Sequence, residues 1–523
     1  MAVIIYPPTI DWEYMRQRPQ HLMLQFAENG HQVFYCNKTP LTYPWFEKIT
    51  ENLCIVHNVD LFLEKYIPHI KAGRVPVIVW CSWTRIASML QAFQPDLIVY
   101  DCLDEFAEWL PYEPNMIDMA DMVFCSSDYL MNRLTTQYDK KKISLLNNAC
   151  DFAHFNRNYR VKPKKPADLP ETTRARIGYM GAWAPWVDFD LVEKICLGFP
   201  QHQVVVIGLQ MAEQLPLELP NFVFLGMKEY EQLPDYLAHL DVCIIPFKIN
   251  LTTVATNPVK VYEYLAAGKP VVSTALPELN KIQPLVKIGC NHDHFLEQIK
   301  TCLKAPEDNI AERIKFARAN SWETRYGDIE EVISREVAGF SDELGYYDIE
   351  KQGSLLNESF QCLYPTADTT LNSGNPGLNF DFDPMYIGRF EETIYQYLLK
   401  FDAAEIDGEV NKAILSVFID KCDYPENFRC IEVRKVLDGW EETEVSWGIR
   451  PSFATEATRS ATFDRLTGWL EWDVTQLVRE WLVQPEVNFG VLLKAHNEEV
   501  HSLIGGVNRH GHDFYSPKLR VFL

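Results

Sequence analysis

Up to about residue 320 the chain repeats one pattern. Short continuous apolar runs, rich in Val, Ile, Tyr and Phe, end in small or polar turn residues: "AVIIYPP", "HQVFYC", "VPVIVWCSW", "DLIVYDC" and "ADMVFCSS". Each has the length of a buried strand. Helically spaced segments lie between them. In "PQHLMLQFAENG", Leu22, Phe26 and Ala27 share one face and Gly30 ends the helix. Strand and helix alternating in this way build right-handed βαβ units on a parallel sheet. The pattern predicts a first Rossmann-like α/β domain over residues 1–155.

The proline- and charge-rich segment "YRVKPKKPADLPETTRA" interrupts the pattern and reads as a hinge. The same alternation then restarts with "ARIGYMG", "HQVVVIG", "NFVFLG", "DVCIIPF" and "KPVVST". This predicts a second Rossmann-like domain over 172–338, ended by a closing helix in "SWETRYGDIEEVISREVAGF". Residues 339–357 are polar and irregular and read as a linker. Over 358–523 the apolar positions fall in strand-like runs with short turns: "QYLLKFD", "NKAILSVFID", "RCIEVRKV", "EVSWGI", "GWLEWDVT", "FGVLLKAH" and "KLRVFL". A short helix is expected only at "VTQLVREWLV". This last part predicts an antiparallel, jelly-roll-like β-sandwich.

Composition narrows the function classes. The 523 residues are 47% hydrophobic and 23% charged, as in ordinary globular proteins, and are too many for one core. A formal net charge of −23 disfavours nucleic acid and anionic lipid as partners. The 13 cysteines include no Cys-x-x-Cys pair, and several lie inside apolar runs, as Cys36 and Cys243 do. Buried reduced thiols, and hence the cytoplasm, fit this better than disulfides or a zinc site. The start "MAVIIYPP" reads as a strand, not a signal segment, and no apolar run approaches the ~20 residues of a membrane span. Peripheral docking at the inner membrane face stays open.

The stretch "NPVKVYEYLAAGKPVV" at 257–272 carries the most chemistry. Asn257 suits an N-cap, with Pro258 first in the helix and Val259 behind it. Free N–H groups and the positive end of the helix dipole make such a start an anion site, and the hydroxyls of "NLTTVAT", among them Thr253, precede it. Lys260 in the first turn opposes the helix dipole, and a bound phosphate offsets that. Glu263 is three residues on, about 9 Å along the axis from the cap at ~1.5 Å per residue. A carboxylate there can accept both hydroxyls of a ribose. The plainer reading is a Lys260–Glu263 pair on a solvated face.

This stretch resembles the nucleotide-sugar segment of GT-B glycosyltransferases, in particular family-4-like enzymes. The glycines of "IGYMGAW" and "VVVIG", the run "FLGMKEYEQLPDYLAHLDVCIIPF" and the late "SWE" fall in the expected order around it. "DWEYMRQRPQHLM" and "VYDCLDEFAEW" resemble bacterial members acting in polysaccharide assembly, of the teichuronic-acid type. The resemblance covers residues 1–338. It implies two Rossmann-like domains with the active site in the cleft between them. It also implies a nucleotide-diphosphate sugar as donor substrate, retention of anomeric configuration, and Glu263 on the donor ribose. Many members have a second glutamate eight positions earlier, where Ala255 stands here. Many also hold the diphosphate with an Arg and a Lys that "GAWAPWVDFD" lacks, so that Lys260 and the helix start take that place.

Within this frame, Asp104, His21 and Lys260 are the candidate catalytic groups. Glu263, Lys260, Asn257, Val259, Thr253, Gly181, Trp183 and Gly208 are candidates for the nucleotide sugar. In "GYMGAW" the glycine permits close backbone approach and Trp183 walls the sugar, or else packs the interdomain face. Arg16, Arg18, Asp101 and Glu105 are candidates for the acceptor. For Arg18 the alternative is organising its helix start, and for the "DCLDE" acids it is helix capping. No cofactor and no resident metal are expected, because no Asp-x-Asp motif stands where a metal would be held.

The last part resembles DNRLRE-type β-sandwich modules in "YLLKFDAAEI", "GWEETEVSW", "GWLEWDVTQLVREWL" and "NFGVLLKA". Trp440, Trp447, Trp469, Trp472 and Trp481 could stack on sugars, but their spacing favours the core. "RHGHDF" offers His510, His512 and Asp513, a weak metal pattern. The chain therefore reads as a glycosyltransferase acting on a glycan or lipid-linked acceptor, its module serving the acceptor, an assembly partner or the membrane. The alternative is a GT-B scaffold without turnover that binds glycan or protein.

Overall fold

The computed structural model describes residues 2–41, 46–138, 142–212, 219–337, 360–381, 383–424, 427, 429–463, 467–510 and 515–523. The expected linker at 339–357 lies outside the described residues. The chain divides into two units, residues 1–37, 48–56 and 60–347, and residues 38–47, 57–59 and 348–523.

The first unit holds two α/β sheets. The first sheet contains β1 (Val3–Tyr6), β2 (Gln32–Cys36), β3 (Phe46–Thr50), β4 (Leu53–Val56), β5 (Val77–Cys81), β6 (Leu97–Cys102), β7 (Met122–Cys125) and β8 (Lys142–Leu145). Their order is β3-β4-β2-β1-β5-β6-β7-β8. Central pairs run parallel, Val3 opposing Gln32 on one side and Val77 on the other. The five runs read as strands are the buried centre, β1, β2, β5, β6 and β7. β3 and β8 escape a pattern search because their side chains are mostly not buried.

The second sheet contains β9 (Arg176–Met180), β10 (Gln203–Ile207), β11 (Phe222–Phe224), β12 (Val242–Ile245), β13 (Val271–Thr274) and β14 (Val286–Gly289), ordered β11-β10-β9-β12-β13-β14. Two Rossmann-like sheets are thus present, as expected. The closing helix, Trp322–Val337, changes the domain assignment. Its Trp322, Tyr326, Ile329 and Ile333 lie in the first domain's core with Phe26, Trp80 and Phe124. At roughly 2 kcal/mol per buried apolar side chain, this holds the helix far more firmly than its exposed Arg335–Glu331 pair does. The helix therefore closes the first domain, not the second.

The second unit is a curled antiparallel sheet of eleven described strands with a large core and a smaller apolar cluster around Trp440. The expected helix is present at Thr475–Val483. "EVSWGI", expected as a strand, instead holds a single 3-10 turn, Trp447–Ile449. Strands such as Ala367–Asn372 and Ile504–Gly506 were not expected, because Asp, Asn and Gly obscure their alternation.

Candidate active site between the two α/β domains

The carboxyl ends of the two sheets meet within the first unit. From the first domain comes the loop after β6, with Asp104 and Glu105. From the second comes the segment after β12, which passes through a short helix, Leu251–Ala255, into the helix Val259–Ala266. Thr256 Oγ1 donates to Asp104 Oδ1 at 3.4 Å and Thr252 Oγ1 to the Glu105 carbonyl at 3.3 Å. Deeper in, Ser127 Oγ donates to the Ala255 carbonyl at 2.6 Å, and Asn148 Nδ2 to the Asn257 carbonyl at 2.6 Å. Clefts at the carboxyl ends of parallel strands are where such folds bind ligands.

Asn257 does not cap the helix. Pro258 takes the N-cap position, and no side chain caps the helix. The Asn257 Nδ2 instead donates to Glu278 Oε2 at 3.2 Å, which fixes the side chain away from the helix start. The first N–H groups of the helix therefore keep their capacity to bind an anion.

Lys260 and Glu263 share the cleft side of this helix. Lys260 Nζ is 5.0 Å from the Phe247 ring centre and 5.7 Å from that of Tyr179. Among the described residues neither the Lys260 nor the Glu263 side chain makes a hydrogen bond or a close ion pair. Burial pushes the Lys260 ammonium down, against the opposing pull of Glu263 and Asp104. Burial pushes Glu263 up to about 7, opposed by Lys260 and reinforced by Asp151. Asp104 is also raised by burial, with Thr256, Lys260 and Arg18 acting in the other direction. Charges taken out of water without hydrogen bonds are costly, and a ligand that brings phosphate to Lys260 and hydroxyls to Glu263 relieves both.

The other sequence candidates divide. Arg16 stays at the cleft, its guanidinium 4.9 Å over the Tyr230 ring. Val259 opens the helix. Gly181 gives Lys260 its room, since a Cβ there would stand 2.8 Å from Lys260 Cε. Gly208 serves the backbone and not a ligand: its Cβ would meet the Gly181 carbonyl oxygen at 2.1 Å.

Six candidates are corrected. Arg18 and Asp101 are buried and bound to each other through two hydrogen bonds of 2.9 and 2.7 Å, so neither can reach an acceptor. Glu105 is paired with Arg133 at 2.9 Å. Trp183 is wholly buried, stacked on Phe189 at 4.8 Å, and cannot wall a sugar. Thr253 is buried and closes a capping box with Asn250. His21 is sandwiched between Trp322, with ring centres 5.3 Å apart, and Tyr230 at 5.5 Å. Burial first, then Arg16 and His154, push it down to about 3, which leaves it neutral and a poor proton carrier. Tyr230, inside the "FLGMKEYEQLPDYLAHLDVCIIPF" run, and Thr256, one of the "NLTTVAT" hydroxyls, gain their places only in the fold, against Arg16 and Asp104, as does Asp151 beside Glu263.

Residues 177–305 match the family Glycosyl transferases group 1, and residues 359–503 match Carbohydrate-binding module family 96. The chain is 26% identical over 288 residues to TuaH of Bacillus subtilis (strain 168), named as a teichuronic acid biosynthesis glycosyltransferase; the match spans 50% of this chain and 72% of TuaH. The match places a group 1 glycosyltransferase segment in the second α/β domain. Two solved structures are also similar to the chain. One is the α,α-trehalose 6-phosphate synthase of Burkholderia multivorans, with TM-score 0.48, 11% identity, and 65% of this chain and 100% of that one covered. The other is the α,α-trehalose-phosphate synthase (UDP-forming) of Burkholderia vietnamiensis, with TM-score 0.47, 11% identity, and 65% and 99% covered.

In this segment Ala255 is fully buried, its carbonyl held by Ser127. The carboxylate bonded to the next residue, Thr256, is Asp104 from the opposite domain. In the family 96 module, Trp440, Trp469, Trp472 and Trp481 are buried, and Trp472 Nε1 donates to the Ile431 carbonyl at 3.0 Å. Trp447 is partly exposed, but Arg450 lies 4.0 Å over its ring. His510 can approach Asp368 and Glu442 in ligand-like fashion. Arg509 also pairs with both of these carboxylates. His512 and Asp513 lie outside the described residues.

Proposed function

We propose that this protein is a glycosyltransferase that moves a sugar from a nucleotide-diphosphate donor to a glycan or lipid-linked acceptor in surface polysaccharide synthesis. The observation that carries the proposal is the pair of half-buried, unsatisfied charges on one helix, Lys260 and Glu263. The helix start and Lys260 stabilise charge developing on the departing diphosphate, without a metal. Glu263 accepts from the ribose diol. Asp104, delivered from the first domain beside Thr256, is the acid assigned to the transferred sugar. Retention of configuration follows the family-4-like resemblance, and the polysaccharide assignment follows the likeness to TuaH. The module would present the acceptor or an assembly partner. We place the enzyme in the cytoplasm, where buried thiols such as Cys36, Cys81 and Cys243 stay reduced, and at most peripheral to the membrane.

The test is a thermal-shift screen of the full chain against UDP- and GDP-sugars, with release of nucleoside diphosphate measured alongside. One donor at a hundredfold excess over its Kd should stabilise by ~2.7 kcal/mol and raise the melting temperature by a few degrees. Glu263→Ala should abolish that shift. A chain stabilised by no nucleotide and releasing none would be the scaffold, and the proposal would fail.

A further inference from the structure

One buried carboxylate is bonded to both α/β domains and belongs to none of the groups assigned above. Glu278, in the turn Pro277–Asn280 after β13, is 4% exposed. Its Oε1 accepts from the backbone N–H of Asp128 at 3.0 Å and from Lys281 Nζ at 2.6 Å. Its Oε2 accepts from Asn257 Nδ2 at 3.2 Å and from Asn147 Nδ2 at 3.4 Å. Asp128 and Asn147 belong to the first domain, Asn257 and Lys281 to the second.

Around this carboxylate the crossing bonds continue. Ser127 holds the Ala255 carbonyl and Asn148 the Asn257 carbonyl, each at 2.6 Å. Lys281 reaches back across to Asp128 Oδ2 at 2.6 Å. Two first-domain loops, 126–128 and 146–148, thus grip the three residues 255–257. Those residues lead directly into the helix that carries Lys260 and Glu263. Asn148 also accepts from Arg18, itself locked on Asp101, so the grip is anchored in the first domain's core.

We propose that Glu278 is a positioning residue: it clamps segment 255–257 against the first domain and so sets the alignment of the helix bearing Lys260 and Glu263 with Asp104. The importance of that alignment rests on the donor-site reading above, but the clamp does not. Each carboxylate oxygen receives two donors from the protein. Replacing one oxygen by an amide turns an acceptor into a donor that faces other donors. A charged group with this many bonds is otherwise found holding two parts of a structure in one arrangement.

Hydrogen exchange on the full chain without any ligand tests this, comparing wild type with Glu278→Gln. Exchange should rise tenfold or more at the amides of 126–130 and 255–262 and stay unchanged in strands β10 and β12. Unchanged exchange in the two loops overturns the proposal. So does a uniform rise throughout the second domain, which would mark Glu278 as an ordinary core group. Should Glu278→Gln fail to fold, Ser127→Ala removes a crossing bond from the other side and should loosen 255–262 in the same way. Titration with UDP and GDP then separates the two readings. Loosened loops with at least fivefold weaker nucleotide binding support both the clamp and the donor site. Loosened loops in a protein whose wild type binds neither nucleotide support the clamp and sink the donor-site reading.

Discussion

At the scale of single residues, the site depends on what burial does to charge. Glu263 has its pKa raised by burial to about 7, whereas a carboxylate in the unfolded chain titrates near 4.5. The folded protein thus binds this proton more tightly than the unfolded one. The stabilising contribution is full below the unfolded value and is lost as pH rises from about 4.5 through about 7. In the proposed role ligand binding has the opposite sign, because the ionised carboxylate is the form that would accept two ribose hydroxyls. The affinity for nucleoside diphosphate should therefore increase between pH 6 and pH 8, and Glu263→Gln should flatten the profile. Titration calorimetry at several pH values checks this, and an affinity that falls over that interval speaks against the assigned role. The same scale shows why residue type alone misled. Arg18, Asp101 and Glu105 are the charged residues one expects on a cleft loop. A buried arginine–carboxylate pair costs about 3–5 kcal/mol to break by removing one partner, so Arg18 and Asp101 are committed to the fold.

At the scale of elements, the second domain is organised by how closely its backbone segments approach. The loops after β9 and β10 cross at Gly181 and Gly208, where a Cβ on Gly208 would stand 2.1 Å from a carbonyl oxygen. Backbone cannot yield as a flexible side chain can. Gly208→Ala should lower the melting temperature by several degrees or prevent folding. Gly181→Ala should be milder in stability, since its Cβ meets the Lys260 side chain, but should weaken nucleotide binding. Thermal unfolding of both variants, with nucleotide titration of the second, separates the two roles. A Gly208→Ala protein as stable as wild type would show that the loops can separate. Elements also show the limits of pattern. The run "NPVKVYEYLAAG" announces its helix, yet the N-cap is Pro258 and not Asn257, whose Nδ2 is held by Glu278, 21 residues further along.

At the scale of the whole molecule, the first unit is closed by a helix that returns from the second domain to the first. Trp322, Tyr326, Ile329 and Ile333 fill the first domain's core, and the Trp322 ring lies flat against that of His21. A chain ending at residue 320 should leave that apolar surface open and be recovered as aggregate or as a partly unfolded species. A chain ending at 337 should keep the first unit folded, as judged by circular dichroism and gel filtration. Equal behaviour of the two would mean the helix is dispensable.

Much of this protein follows from the order of its residues alone. Buried central strands must be continuous apolar runs, and helices must repeat every three to four positions. The two α/β domains, the β-rich last part and the helix at Thr475–Val483 are therefore readable. So is the stretch that carries Lys260 and Glu263, because a starting proline, a lysine and an acid fall within one short helical stretch. Edge strands such as β8 are not readable, because a half-solvated strand needs no apolar run. Neither is the fate of a particular charge. Only the folded chain puts Arg18 beside Asp101, Glu105 beside Arg133, Trp183 in the core and Tyr230 in the cleft, since these contacts join residues far apart in sequence. The electrostatic and packing energies that assign each side chain its role act across space, and hydropathy along the chain carries no record of them.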